Sequence, residues 1–256
     1  MKKEAVSISN LSFSVGGRQL LDNVSLSVEA GSLTILLGKN GSGKSTLFKI
    51  ISGLIPYQSG DVLLFGRQRK HLNYKDCAQL LGFLPQFHKA VFPFKVREVL
   101  LTGRAAFSFF APGKEDINRV NAVLEEMEIS HLADRSYTEL SGGEQQLVMI
   151  ARVLIQNPPF IMLDEPTNHL DTYYQVKVMD KLQQLKQQGT TIFCIMHDPN
   201  LAALYADTCH YIEKQKIITW ENQSDYGLFL ERIYGVPFEV LDFRQKKLVT
   251  PKPFHL

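Results

Sequence analysis

The chain opens with alternation. Val6-Ser7-Ile8-Ser9 and Leu11-Ser12-Phe13-Ser14-Val15 place apolar residues at period two, and Gly16-Gly17 stands where a turn is needed. That pattern predicts strands joined as a hairpin. A short apolar run from Leu33 to Leu37 enters a glycine-rich loop, after which Lys44 to Leu54 carries Leu47, Ile50, Ile51 and Leu54 on one helical face. Between about Phe87 and Asn157 the period is helical, with Ile117, Val120, Leu124 and Met127 on one stripe and Leu147, Ile150, Ala151 and Leu154 on another. Buried-strand signals return at Phe160 to Leu163 and Thr191 to Ile195, separated by a polar helical stretch from Thr172 to Gln188. The order predicts an α/β fold with a helical insertion.

Composition narrows the class. The 256 residues are 45% hydrophobic and 21% charged, as in a globular protein of one large core or a core with an insertion. No run approaches the roughly 18 apolar residues of a membrane span. The basic start Met1-Lys2-Lys3 has no apolar segment behind it, so no cleavable secretion signal is expected. With 28 Lys and Arg against 26 Asp and Glu, the net charge of +2 argues against a general nucleic-acid binder. Cys77, Cys194 and Cys209 are odd in number and widely spaced, which fits buried thiols in a reducing compartment better than a disulfide framework.

Gly38-Lys39-Asn40-Gly41-Ser42-Gly43-Lys44-Ser45 fits the phosphate-binding Walker A pattern, and Thr46 follows inside the predicted helix. Strand before and helix after are the required flanks. Glycines let the backbone wrap phosphate oxygens while N–H groups and the helix N-terminus face the negative charge. In that pattern Lys44 reaches the β- and γ-phosphates and the Ser45 hydroxyl ligates Mg²⁺.

Phe160 to Leu163 ends in Asp164 and Glu165. At the carboxyl end of a parallel strand Asp164 can join the Mg²⁺ shell. Adjacent strand residues point opposite ways, leaving Glu165 to orient and deprotonate a water. Pro166 and Asn168 already supply turn chemistry. Leu140-Ser141-Gly142-Gly143-Glu144-Gln145-Gln146 precedes a predicted helix, where Ser141, Gly142 and Gly143 form either a plain N-cap or an anion-facing terminus.

In this order the motifs resemble the ATP-binding cassette family, over Val6 to about Asp225. The resemblance identifies Gln86 in Phe83-Leu84-Pro85-Gln86 as the Q-loop glutamine, Leu140 to Gln146 as the signature, Asn168 to Asp171 as the D-loop and His197 as the switch histidine. It implies a P-loop NTPase cassette with a RecA-like core, an N-terminal antiparallel β-subdomain and an inserted α-helical subdomain. The ATPase domain is expected over residues 1–221, with the helical subdomain at about 87–157 and a small C-terminal appendage at 222–256. ATP and Mg²⁺ are the implied cofactors. Two identical cassettes would face head to tail, each ATP lying between Walker A of one and Ser141, Gly142 and Gly143 of the other. Within that arrangement Glu165 is the catalytic base, His197 contacts the γ-phosphate, Gln86 touches Mg²⁺ and water, and Asp171 reaches the partner's site. One departure is Val15, at the position where cassettes commonly stack an aromatic on adenine; Phe13 shares its strand face and can take that role, with core the preferred reading.

Spacing separates the uses of such a cassette. The 55 positions from Gln86 to Ser141 allow a compact helical insertion and exclude long coiled-coil arms. A subunit of a membrane importer competes with an iron–sulfur assembly ATPase. Phe87, Phe92 and Phe94 beside the Q-loop either line a groove for a partner's helix or fill the core, the core being preferred for any single one. Phe92 to Arg104, His197 to Ala203 and Tyr234-Gly235-Val236 are similar to the matching parts of importer ATPases for iron-siderophores, haem, vitamin B12 and related metal compounds. That resemblance implies a homodimer peripheral on the cytoplasmic side of the inner membrane, bound to integral-membrane permease subunits. A separate extracytoplasmic substrate-binding protein would deliver the cargo.

Overall fold

A computed structural model describes residues 3–86, 93–105, 112–220, 225–243 and 246–253. In chain order the elements are β1 (Glu4–Val15), β2 (Arg18–Glu29), β3 (Leu33–Gly38), α1 (Lys44–Ser52), β4 (Ser59–Leu64) and β5 (Arg67–Gln68). Next come α2 (Tyr74–Leu80), β6 (Leu81–Leu84), α3 (Val96–Leu101), α4 (Lys114–Glu126), α5 (Gly142–Leu154), β7 (Phe160–Asp164) and α6 (Thr172–Gln187). The last are β8 (Thr191–Ile195), α7 (Pro199–Tyr205), β9 (Thr208–Glu213), β10 (Lys216–Thr219), α8 (Tyr226–Tyr234), β11 (Phe238–Phe243) and β12 (Lys246–Pro251). The chain divides into two compact units: residues 1–71 with 191–256, and residues 72–190.

The first unit holds the expected hairpin. β1 and β2 pair antiparallel with Val15 opposite Arg18, and Gly16 and Gly17 both take positive φ (56° and 76°). Those angles suit a two-residue turn whose twist matches the strands, which glycine adopts at no steric cost. β4 adds to the other edge of β1, giving the antiparallel order β2-β1-β4-β5. In a second sheet β3 lies between β8 and β9, parallel to both, and β10 returns antiparallel along β9. β3 and β8 are buried at every position, as near-continuous apolar runs flanked on both sides should be. Phe48 of α1 packs on Phe193 of β8 with ring centroids 4.8 Å apart.

α1 ends two residues before the hydrophobic period implies. Gly53 caps it by donating to the Ile50 carbonyl, and the Arg69 guanidinium accepts the task of satisfying the Ile51 and Ser52 carbonyls (3.1 and 2.7 Å). Leu54 therefore falls outside the helix and is 60% exposed.

In the second unit β6 and β7 run parallel, Leu84 opposite Leu163, and α5 and α6 bring Leu147, Ile150, Ala151, Val178, Met179 and Leu182 into its core. The stripe on α4 differs from expectation at one end. Val120, Val123, Leu124 and Met127 are buried, but Ile117 is 47% exposed. The inward position of that first turn belongs to Asp116, which accepts from Arg104 Nε (2.8 Å) and from the Gly113 N–H (3.0 Å). The three cysteines are buried and form no disulfide among the described residues, and burial pushes the Cys194 thiol well up. Among the described residues no helix is long and apolar enough to cross a membrane.

Candidate active site

The first unit carries the phosphate loop between β3 and α1. Lys44 is 5% exposed, and its ammonium donates to the carbonyls of Gly38 (2.7 Å) and Lys39 (3.0 Å), folding the loop around itself. Gly43 precedes the helix at φ 106°, an angle closed to side-chain-bearing residues, so the N–H groups of the first helical turn face the loop's interior. Ser42 Oγ is buried there with no hydrogen-bond partner among the described residues. A buried hydroxyl in want of a partner, beside a cation and a helix N-terminus, is what a phosphate oxygen satisfies. Ser45 and Thr46 lie half-buried at the start of α1, while Lys39, Asn40 and Gly41 form the exposed tip.

His197 belongs to the same edge. β8 runs parallel to β3 with Leu36 opposite Ile195, and the Met196 N–H donates to the Leu36 carbonyl (3.1 Å). Two positions beyond the pair Leu36–Ile195, β3 ends at Gly38 and the chain that left β8 reaches His197. The parallel register thus brings the ends of these two strands together, although Gly38 and His197 are 159 positions apart. Val15 is 57% exposed, and Phe13 is half-buried, so Phe13 is not the core residue the alternation favoured.

The second unit holds the carboxylates. Asp164 closes β7 with 4% exposure. Glu165 lies beyond the strand at φ 58°, left-handed for a non-glycine residue. The turn, not strand alternation, therefore separates the two acids. Oε2 of Glu165 accepts from the side-chain amides of both Gln86 and Asn168. Gln86 reaches it because β6 and β7 are parallel and their carboxyl ends coincide. The sequence marks Asn168 as turn chemistry and, by resemblance, as the start of the D-loop; its amide on Glu165 is a three-residue return that neither reading announces.

At the signature, Ser141 caps α5 and Glu144 completes a capping box. The Glu144 carboxylate accepts from the Ser141 N–H (2.8 Å) and hydroxyl (2.9 Å). That backbone hydrogen bond holds the Glu144 carboxyl below its usual range. The spacing Ser-x-x-Glu was the available signal. The two glycines divide their labour: a Cβ on Gly142 would meet nothing within 4 Å, whereas one on Gly143 would lie 2.2 Å from the Tyr174 ring. Gly142 leaves the terminus open, and Gly143 lets α5 approach α6. Asp171 caps α6, accepting from the Tyr174 N–H (3.0 Å), and remains exposed.

Phe87 and Phe92 lie outside the described residues. Phe94 is 54% exposed, which removes it from the core, and lines an open groove of about 500 Å³ with Leu101, Thr102, Arg104 and Asp116. The C-terminal residues 225–243 and 246–253 form α8 and the β11–β12 hairpin, while Asn222 to Ser224, at the expected start of the appendage, lie outside the described residues.

Comparison with known proteins identifies the family. Residues 21–168 match the ABC transporter family. The hemin import ATP-binding protein of Photobacterium damselae subsp. damselae is 37% identical over 246 residues, covering 93% of this chain and 91% of that one. A chain described as a metal-chelate type ABC transporter in an inward-facing conformation superposes with a TM-score of 0.86 at 28% identity, covering 98% of each. An ATP-binding cassette solved as a dimer in a post-hydrolysis state, bound to ADP and Pi, gives 0.74 at 28% identity, covering 86% of this chain and all of that one. With its family matched over more than half its length, this chain belongs to the ABC transporter family and is an ATP-hydrolysing ATP-binding cassette.

Proposed function

We propose that the chain is the ATPase subunit of a membrane importer for a metal compound, an iron-siderophore, haem, cobalamin or a relative of these. The observation that carries the proposal is the likeness to a hemin import ATP-binding protein along 93% of the chain. The metal-chelate type neighbour supports the same cargo class. These relatives favour import over iron–sulfur assembly.

On this reading Lys44, Ser42 and the N–H groups from Gly41 to Thr46 hold the triphosphate of ATP, and His197 meets the γ-phosphate. Mg²⁺, when bound, offsets charge on the β- and γ-phosphates; the hydroxyl of Ser45, the carboxylate of Asp164 and the amide oxygen of Gln86 are hard oxygen donors suited to it. Glu165, fixed by two amides, takes the proton of the attacking water. Two copies pack head to tail, Ser141, Gly142 and Gly143 of one completing the pocket of the other, with Asp171 reaching across; the dimeric ADP-bound cassette supports this arrangement. Residues 1–221 form the ATPase domain, with the helical subdomain at about 87–157, and 222–256 the appendage.

The subunit would lie on the cytoplasmic face of the membrane, its Phe94 groove receiving a short helix of the permease, while an extracytoplasmic binding protein supplies cargo that never touches this chain. Purification from detergent-solubilised membranes tests the proposal. Recovery of a multi-span protein with the ATPase is expected; recovery of soluble partners alone overturns import.

A further inference from the structure

Two of the three residues after His197, Pro199 and Asn200, are anchored to the C-terminal part of the chain. Asp198 caps α7, its Oδ1 accepting from the N–H groups of Asn200 (2.7 Å) and Leu201 (3.3 Å). The Pro199 carbonyl accepts from the Tyr226 hydroxyl (3.2 Å), which in turn accepts from Tyr211 (3.1 Å). Asn200 pairs with β12 as a neighbouring strand would: its Nδ2 donates to the Val249 carbonyl (3.0 Å) and its Oδ1 accepts the Val249 N–H (2.7 Å). Tyr226 and Val249 are both buried. Removing either partner therefore leaves buried polar groups unsatisfied, so these bonds constrain the backbone strongly.

The far end of α8 lies close to the phosphate loop. A Cβ on Gly235, the residue capping that helix, would lie 3.6 Å from the Lys39 ammonium of the phosphate loop. A helix C-terminus favours a nearby cation. The same helix that begins at the Pro199 carbonyl thus ends at the phosphate loop.

We propose that α8 with the β11–β12 hairpin is a clamp that sets the backbone of the His197 segment, and that Asn200 and Tyr226 are positioning residues for hydrolysis. The inference rests on the reading of His197 as the γ-phosphate contact. Neither side chain touches nucleotide; each acts through the chain between Met196 and Leu201.

Steady-state hydrolysis of Mg²⁺-ATP by the full chain and its Asn200→Ala, Tyr226→Phe and His197→Ala variants, each with a thermal unfolding midpoint, tests it. Asn200→Ala should lower kcat about tenfold and Tyr226→Phe about threefold, each with the KM for ATP within about twofold and the midpoint above the assay temperature. The clamp is overturned if both positioning variants keep wild-type kcat while His197→Ala loses it. It is likewise overturned if their loss of kcat merely follows the unfolded fraction. Wild-type turnover by His197→Ala would instead remove the γ-phosphate assignment itself, and the clamp with it.

Discussion

The side-chain amide of Gln86 donates to the carboxylate of Glu165, across the carboxyl ends of two parallel strands that pair Leu84 with Leu163. On the reading of Glu165 as the general base, the position of Gln86 bears on the orientation of that carboxylate.

Replacing Glu165 by Gln keeps size and hydrogen bonding while removing the proton acceptor. Turnover should fall at least about a hundredfold, the scale of general-base catalysis, with ATP binding retained. If two cassettes enclose the nucleotide, ATP should then hold the variant as a dimer. Gel filtration with and without ATP, beside a phosphate-release assay, measures both; normal turnover would remove Glu165 from its role.

Asn168 separates orientation from chemistry. Asn168→Ala removes one of two amide donors on Glu165 and should lower kcat about tenfold with little change in KM, because the lost contact orients a group that acts in the transition state. Asn168→Asp, setting a carboxylate against a carboxylate, should lower it further. Equal kcat in wild type and Asn168→Ala would show that Gln86 suffices.

Lys44 has two tasks, and its removal should show both. Lys44→Ala deletes the cation that the proposed function sets against phosphate and leaves the Gly38 and Lys39 carbonyls without their donor. ATP affinity should fall at least about a hundredfold by titration calorimetry, and stability by about 1–3 kcal/mol in urea, the cost of unsatisfied buried carbonyls. Undiminished affinity would overturn the phosphate-loop assignment.

Much of this arrangement was legible in the residues, for identifiable reasons. The phosphate loop is contiguous, and its glycines and lysine are required by backbone chemistry that leaves little choice. β3, β7 and β8 are buried at every position, so their apolar runs stand out from any neighbouring pattern. What hydrophobic periodicity could not show was which member of a stripe lies at a helix end. Leu54 fails because Gly53 and Arg69 stop α1, and Ile117 fails because Asp116 takes the inward place. Close approaches between residues distant in sequence, such as Asn200 with the Val249 backbone or Gly143 with the Tyr174 ring, leave no periodic trace at all.

The two signature glycines should respond oppositely to the same substitution. Gly143→Ala drives a methyl into the Tyr174 ring and should destabilise by about 1–3 kcal/mol, the usual range for overpacking. Gly142→Ala meets open space and should stay within about 0.5 kcal/mol, since alanine suits a helix better than glycine. If the open terminus receives a partner's phosphate, Gly142→Ala should nevertheless reduce turnover. Urea unfolding and ATPase rates on the pair distinguish packing from function.

His210 should make the first unit sensitive to mild acid. It is buried, with Nε2 donating to the Ser27 carbonyl (3.2 Å) and Nδ1 left to accept from the Thr219 hydroxyl (2.9 Å), a set that suits the neutral ring. Burial lowers its pKa, opposed in part by the Ser27 bond. The folded chain then binds fewer protons than the unfolded chain, so stability rises with pH: it is complete above the unfolded value of about 6.5 and is lost as pH falls from there toward the lowered folded value. The thermal midpoint should decline between pH 7 and pH 5, on the order of the window between histidine and carboxylate titration. In His210→Asn, which keeps a donor and an acceptor but no titrating ring, the midpoint should start lower and decline less over the same interval. Parallel curves for the two proteins would show that the unit tolerates the charged ring and that Ser27 and Thr219 can rearrange to hold it.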